Sequence, residues 1–140
     1  MKRNKLFIDT GAWIALVMET DHFHNKARTF MENLDSSMKR FTSSYVISEI
    51  YTWLRYREGF IYADNFLDII NRSKASGALD VLIEDRDALE MGGQLLKDFS
   101  DQRFSYVDAT SMAMMKKERI SKVFGFDYHF YLMDFVVVPY

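Results

Sequence analysis

The stretch FSYVDATSMAMMKKERISKVFGFDYHF, residues 104–130, decides the fold because it predicts a helix, a stop and then a strand. Ser105 followed three residues later by Asp108 resembles a capping box, which predicts that the helix begins near Tyr106. Asp108 then lies in the first turn, where the helix dipole favours negative charge. One apolar face follows at helical spacing, made of Ala109, Met112, Ala113 and Ile120.

The second half of this stretch predicts a short buried strand that ends in a carboxylate. Residues 122–126 are mostly apolar and favour β-structure, and Asp127 follows them at once. In parallel α/β sheets, sites form at the carboxyl ends of the strands. Residues 104–130 therefore predict two carboxylates, Asp108 and Asp127, in positions that suit a site.

Outside this stretch, apolar runs with strand character alternate with segments of helical spacing. Predicted strands cover residues 6–8, 40–43, 79–83 and 135–138, in addition to 122–126. Predicted helices cover residues 12–18, 23–34, 45–57, 60–72 and 87–99, with a kink at Gly92 and Gly93 in the last of these. This alternation predicts an α/β fold with a parallel, helix-covered sheet.

Length and composition are those of one ordinary domain, covering residues 1–140. The chain has no cysteine, so any metal would be held by oxygen or imidazole, and we expect a cytoplasmic protein. Asp9 interrupts the first apolar run, which argues against a signal peptide, and no stretch reaches the ~20 apolar residues of a membrane helix. A net charge of −2 argues against binding long nucleic acid by a broad basic surface, but leaves a local, metal-assisted site open.

Four carboxylates stand at element ends or on inner faces: Asp9 after the first strand, Glu49 at the margin of an apolar helix face, Asp108 and Asp127. If they converge, like charges ~5 Å apart repel by about 3 kcal/mol per pair at an effective dielectric of 20. Either some of the acids take up protons, or a divalent cation neutralises them. Oxygen ligands favour Mg²⁺ or Mn²⁺, and such a site hydrolyses phosphodiesters with a metal-activated water.

Each acid also has a simpler explanation. Asp108 can be explained as a first-turn charge alone, Glu49 as a partner for a basic residue, and Asp127 as a turn residue. Asp9 is the hardest to explain in this way, because an acid that closes an apolar strand buries its charge unless something pairs with it.

Taken in order, FIDTGAWIAL, SSYVISEIYTWL, FSYVDATSMAMMKK and VFGFDYHF resemble the PIN domain family, and within it the VapC-like toxin ribonucleases of toxin–antitoxin pairs. The resemblance covers nearly the whole chain. It implies a three-layer α/β/α sandwich with a mostly parallel, five-stranded sheet, and it carries the family's acidic residues onto Asp9, Glu49, Asp108 and Asp127. It also implies Mg²⁺- or Mn²⁺-dependent cleavage of RNA, a homodimer and a small VapB-like antitoxin that blocks the site.

The chain departs from the family pattern at two glycines. Gly11 stands where Ser or Asn usually follows Asp-Thr, and Gly125 stands where Thr or Ser commonly precedes Phe-Asp. Both departures remove a polar group that could orient a neighbouring acid. We assign Thr10 an orienting or substrate-contact role, and His129, two residues after Asp127, a substrate contact or a structural role.

Two other functions compete with a metal-dependent ribonuclease. Phosphotransfer through an aspartyl-phosphate also suits Asp9 after a first strand, but the phosphatase pattern needs a second Asp where Gly11 stands, and a receiver needs adjacent acids near the start. A catalytically silent PIN-like module that binds RNA or protein is the other alternative. Its signature, the loss of one acid, is not seen in the sequence.

Overall fold

A computed structural model describes residues 4–140, in which strands and helices alternate along the chain as predicted. Residues 1–3, where the predicted domain begins, lie outside this range. The elements are β1 (Lys5–Ile8), α1 (Thr10–Val17), α2 (His24–Glu32), β2 (Lys39–Ser43), α3 (Ser44–Arg57), α4 (Phe60–Ala75), β3 (Asp80–Leu82), α5 (Arg86–Asp98), α6 (Tyr106–Lys117), β4 (Lys122–Phe124), α7 (Tyr128–Leu132) and β5 (Val136–Val138). No helix of the described chain is both long and apolar enough to cross a membrane.

The five strands form one sheet in the order β3-β2-β1-β4-β5, and every neighbouring pair is parallel. Leu6, Phe7 and Ile8 follow one another in β1 and are 0%, 0% and 1% exposed. Because successive side chains of a strand point to opposite faces, the sheet is covered by helices on both sides. The predicted α/β/α sandwich with five strands is therefore confirmed.

The chain connections place the ends of β1 and β4 at a crevice. From β1 the chain steps outward to β2 and β3, whereas from β4 it steps outward in the other direction to β5. With right-handed crossovers, α1 to α4 cover one face and α5 to α7 the other. In such sheets the crevice opens outside the carboxyl ends of the two strands at which the direction reverses. Asp9 follows β1 there, and Asp127 lies three residues after β4.

A buried hydrogen-bond chain holds α1 against the sheet and so positions Asp9. The Trp13 indole Nε1 donates to Thr42 Oγ1 at 3.1 Å, and the Thr42 hydroxyl donates to the Ile8 carbonyl at 2.9 Å. All three residues are buried, and a buried polar group is stable only when it is paired. These bonds connect α1 to both β1 and β2.

Two local predictions at the ends of β1 and β4 are wrong. The helix predicted over residues 12–18 begins two residues earlier, at Thr10, so Asp9 itself is the N-cap residue of α1. The strand predicted over 122–126 ends at Phe124, and the five-residue helix α7, which the sequence analysis did not predict, begins directly after Asp127. Asp127 is therefore the N-cap residue of α7 and does not directly follow the strand.

The helices α5 and α6 correct two further expectations. The sequence allowed a kink or a break at Gly92 and Gly93, and α5 is not broken there, because it is one uninterrupted helix. A Cβ atom at Gly92 would lie 2.9 Å from Thr110 Cγ2, so this glycine allows α5 and α6 to approach closely. Because α6 is covered on all sides, residues 109–115 are all buried, rather than one apolar face alone.

Candidate active site at the carboxyl edge of the sheet

Asp9 is the most deeply buried acid of the crevice. Its side chain is 3% exposed, and its backbone N–H donates to the Phe124 carbonyl at 3.0 Å, which ties the end of β1 to the end of β4. Its carboxylate makes no capping hydrogen bond to α1, and Oδ1 is buried with no hydrogen-bond partner in the described chain. Burial raises the pKa of Asp9 from 3.8 to about 8; the adjacent Thr10 backbone N–H opposes this shift, and the charges of Asp108, Asp127 and Glu49 add to it.

Asp108 lies in the first turn of α6, as predicted, and the capping box is confirmed. The Ser105 hydroxyl accepts a hydrogen bond from the Asp108 backbone N–H at 2.9 Å, and Asp108 Oδ2 accepts one from the Ser105 N–H at 3.0 Å. Partial burial raises the pKa of Asp108, and the charges of Asp127 and Glu49 raise it further. The capping box thus fixes one Asp108 oxygen, Oδ2, by a hydrogen bond. The charges of Asp127 and Glu49 raise the pKa of the same carboxyl group.

Asp127 caps α7 and lies beside His129. Asp127 Oδ1 accepts a hydrogen bond from the His129 backbone N–H at 2.9 Å, and His129 Nδ1 lies 3.0 Å from the same oxygen. That second contact lacks hydrogen-bond geometry, so Nδ1 is buried without a partner. One potential ligand atom each from Asp108, Asp127 and His129 lie within 4.8 Å of one another.

Glu49 reaches the site from α3, where its exposed carboxylate is held by Thr10. The Thr10 hydroxyl donates to Glu49 Oε1 at 2.6 Å, across 39 residues of chain. Glu49 also adds to the charge that acts on both Asp9 and Asp108. The Thr10 hydroxyl is therefore bonded to Glu49 and not to the neighbouring Asp9.

The two unusual glycines differ in how close they lie to Asp9. A Cβ atom at Gly125 would lie 3.3 Å from the Asp9 Cβ and 3.6 Å from Asp9 Oδ2. A Cβ atom at Gly11 would meet only the Phe126 backbone nitrogen, at 3.8 Å. Gly125 is thus the position from which a hydroxyl would have reached Asp9.

The chemistry of the crevice fits a cation bound by oxygen ligands. None of the four acids forms a salt bridge with Lys or Arg in the part of the chain that is described. An unpartnered, buried carboxylate oxygen on Asp9 is the kind of group that a divalent cation would satisfy. Asp108, Asp127 and Glu49 are thus near enough to Asp9 for their charges to raise its pKa. Among the described residues, however, the group whose ligand atoms lie within 4.8 Å of one another is Asp108, Asp127 and His129, without Asp9 or Glu49.

Sequence reasoning missed two features beside the site. Glu84 follows β3 and holds the start of α3, since its carboxylate accepts hydrogen bonds from the Ser44 hydroxyl and, at 3.2 Å, from the Tyr45 backbone N–H. Tyr45 and Tyr106 line a groove that also contains Glu49. The groove could not be predicted from the sequence of either helix alone, because one wall comes from α3 and the other from α6.

Comparison with known proteins places these features in a family context. A model described as PIN domain matches residues 6–136. The 23S rRNA-specific endonuclease VapC20 of Mycobacterium tuberculosis is 30% identical over 133 residues, which is 95% of this chain and 97% of that protein.

Solved structures agree with this match. The crystal structure of M. tuberculosis VapC20, described as a sarcin–ricin loop cleaving toxin, has a TM-score of 0.84 at 30% identity and covers 94% of this chain and 96% of its own. FitAcB from Neisseria gonorrhoeae has a TM-score of 0.70 at 13% identity, with 96% of each chain covered, and shows the same fold.

Proposed function

This chain belongs to the PIN domain family and is a homologue of a VapC toxin endonuclease, and we propose that it is itself a metal-dependent endoribonuclease. The reaction is the hydrolysis of an RNA phosphodiester: the oxygen of a water forms a bond to phosphorus, and the bond to the leaving ribose oxygen breaks. The VapC20 relative is named for cleavage of 23S rRNA, which supports structured ribosomal RNA as the substrate class.

The observation that carries this proposal is the environment of Asp9. A carboxylate that is 3% exposed, has one oxygen without a partner and lies among three further acids is unfavourable unless a proton or a cation neutralises it. We assign Asp9, Glu49, Asp108 and Asp127 as the residues that would hold Mg²⁺ or Mn²⁺. When bound, this ion supplies Lewis acidity, which neutralises phosphoryl charge and lowers the pKa of a water.

The residues of the chain divide the remaining work. Asp9 holds a proton near neutral pH because its pKa is about 8, and it would have to release this proton in order to hold a cation. Thr10 orients Glu49 through its 2.6 Å hydrogen bond, and the Ser105 N–H orients Asp108. We place His129, beside Asp127, as a substrate contact.

We further propose that residues 1–140 form one domain that acts in the cytoplasm, where ribosomal RNA is found. The domain would be the toxin of a type II toxin–antitoxin pair, a homodimer blocked by a small VapB-like antitoxin. Structures of VapBC2 from Rickettsia felis and of FitAB, both solved with DNA, support an antitoxin partner at the level of fold.

A catalytically silent module that binds RNA or protein is the second candidate. Gly125 favours it, because no hydroxyl is available at this position to donate to the buried Asp9 carboxylate. The presence of all four acids favours catalysis, since a silent module has no need to keep the repulsion among them.

Cleavage of RNA by the purified protein tests the proposal. We expect a hairpin with the sarcin–ricin loop sequence, or total ribosomal RNA, to be cut with Mg²⁺ or Mn²⁺ and to remain intact with chelator. Asp9→Asn and Asp108→Asn should abolish cutting, while Asp98→Asn, on the exposed end of α5, should leave it unchanged. Equal behaviour of wild type and both site variants under every condition, together with no calorimetric Mg²⁺ binding, would favour the silent module.

A further inference from the structure

A groove with a volume of about 670 Å³ opens beside the acid cluster, between α3 and the first turn of α6. Its walls are formed mainly by three aromatic residues, two hydroxyl residues and one acid, namely Tyr45, Trp53, Tyr106, Ser48, Thr52 and Glu49. We refer to it as the aromatic groove. Its size is within the range of pockets that bind a small organic group, roughly 300 to 1,000 Å³.

The two tyrosine rings of the aromatic groove do not stack on each other. Tyr45 and Tyr106 have ring centroids 6.3 Å apart and planes tilted by 34°, so neither ring covers the other. Tyr106 is 47% exposed, although it begins the helix that carries Asp108. Exposed aromatic faces of this kind are the platforms on which unpaired bases stack in RNA-binding proteins.

The aromatic groove is continuous with the acid cluster. Glu49 lines the groove and accepts the hydrogen bond from Thr10, which directly follows Asp9 in the chain. On the other wall, Tyr106 lies in the same first turn of α6 as Asp108, although side chains two residues apart on a helix do not face each other. Glu49 is therefore the residue that connects the groove to the acids, and a nucleotide next to a phosphate at the acids would reach the groove beside it.

The charge of the groove decides which part of a nucleotide it suits. Glu49 is the charged residue of its lining, which disfavours a phosphate, whereas Ser48 and Thr52 can exchange hydrogen bonds with a neutral base edge. The Arg57 guanidinium lies 5.1 Å from the Trp53 ring centroid, but it is also 3.9 Å from the Glu58 carboxylate, so it adds little net positive charge beside the groove. A neutral, planar and hydrogen-bonding group fits this pattern better than an apolar peptide side chain.

We propose that the aromatic groove binds one unpaired base of the RNA, next to the phosphodiester that is cut, by stacking on Tyr106 and Tyr45. This inference rests on the proposed function, since it identifies a binding subsite of the same reaction. It also explains a preference for RNA loops, in which a base can leave its helix. A fully paired stem has no base to offer, so the groove selects flexible positions.

Fluorescence of 2-aminopurine tests the stacking directly. The RNA hairpin of the cleavage assay would carry 2-aminopurine at each loop position in turn, and binding would be titrated with Asp9→Asn protein and Mg²⁺ so that cutting does not interfere. We expect quenching at one loop position. Tyr106→Leu should remove this quenching and weaken binding about tenfold, because stacking on an aromatic ring is lost, whereas Tyr106→Phe should retain both.

Tyr62→Ala is the matched control, since Tyr62 is 54% exposed but lies near the start of α4. The 14 residues of α3 separate it by roughly 20 Å from the carboxyl edge of the sheet. Binding should be unchanged in this variant, and thermal unfolding would verify that Tyr106→Leu is folded. Unchanged quenching and affinity in folded Tyr106→Leu would overturn the inference.

Two further outcomes are informative. If Tyr106→Leu turns a dimer into a monomer in sedimentation while RNA affinity is unchanged, a second copy of the chain covers the groove and the inference is wrong. If the unmodified protein does not cut RNA but quenching still depends on the Tyr106 ring, the ribonuclease proposal fails while the base subsite stands. Cleavage and stacking are thus tested separately.

Discussion

Asp9 and Asp85 occupy similar positions in the chain but have opposite electrostatic environments. Each follows a strand and is the N-cap residue of the next helix, α1 and α5 respectively. Asp85 is exposed, accepts a hydrogen bond from the Ala88 N–H at 2.9 Å and lies 2.5 Å from the Lys117 ammonium group. Asp9 is buried, makes no capping hydrogen bond to α1 and lies among other acids.

The pKa values of the two carboxyl groups express this difference. The Lys117 hydrogen bond, with that from Ala88, lowers the pKa of Asp85, whereas burial and like charges raise the pKa of Asp9 to about 8. An acid after a strand is therefore not by itself a sign of a site. The sign is an acid whose neutralising partner is missing from the described chain.

The largest expected effect is the pH dependence of stability that Asp9 imposes. Asp9 has a pKa of about 8 in the folded protein but about 3.8 in the unfolded chain. Between these pH values only the folded protein keeps the proton, so the free energy of unfolding falls as the pH rises. The total is on the order of 6 kcal/mol, at about 1.4 kcal/mol for each of the roughly four pKa units between these values.

Urea unfolding of wild type and Asp9→Asn at pH 5 and pH 8, both in chelator, measures this contribution. We expect the variant to gain stability relative to wild type at the higher pH. If wild type and Asp9→Asn differ in the free energy of unfolding by the same amount at both pH values, the pKa of Asp9 is not raised, and the contrast with Asp85 is wrong.

The next effect concerns activity. Asp108→Asn should lower the cleavage rate by more than about 100-fold, since loss of a residue that only supports a metal ligand already costs about 10- to 100-fold. Asp85→Asn should retain the wild-type rate, because Asp85 has its own partner in Lys117. Rates under single-turnover conditions would show the contrast, and a comparable loss in both variants would contradict it.

A smaller effect is expected from filling the space beside Asp9. Gly125→Ala places a methyl group 3.3 Å from the Asp9 Cβ and should destabilise the fold by about 1 kcal/mol through crowding. Gly11→Ala meets an atom only at 3.8 Å, lies within α1 and should be neutral or stabilising by up to about 1 kcal/mol. Chemical denaturation of both variants would measure the change in the free energy of unfolding, which we expect to have opposite signs. Equal stability of Gly125→Ala and Gly11→Ala would contradict this prediction.

The smallest effect tests Asp85 as a purely structural residue. Asp85→Ala removes the cap of α5 and should lower the denaturation midpoint slightly, whereas Asp85→Asn keeps a capping oxygen and should lower it less. Cleavage should be the same in both variants. If cleavage instead fell in parallel with that of Asp108→Asn, Asp85 would have to be counted with the site.

Much of the fold followed from local pattern. All five strands, the six helices α1 to α6 and the capping box at Ser105 and Asp108 were predicted, because alternation, helical spacing and capping chemistry are properties of neighbouring residues. The short helix α7 was missed, since five residues carry too little periodicity to distinguish a helix from a loop. The reason for a glycine at position 92 was also missed, because helix propensity carries no information on the close contact between α5 and Thr110.

The sequence by itself determined the residue types of the candidate site, the order of strands and helices, and the absence of cysteine ligands. The tertiary structure alone decided that Thr10 holds Glu49, that Asp9 Oδ1 is buried without a partner, and that Tyr45 and Tyr106 face one groove. The physical reason is that these relations join residues 39 or more positions apart. Burial and charge depend on what the fold brings near a group, whereas propensity depends only on its neighbours in the chain.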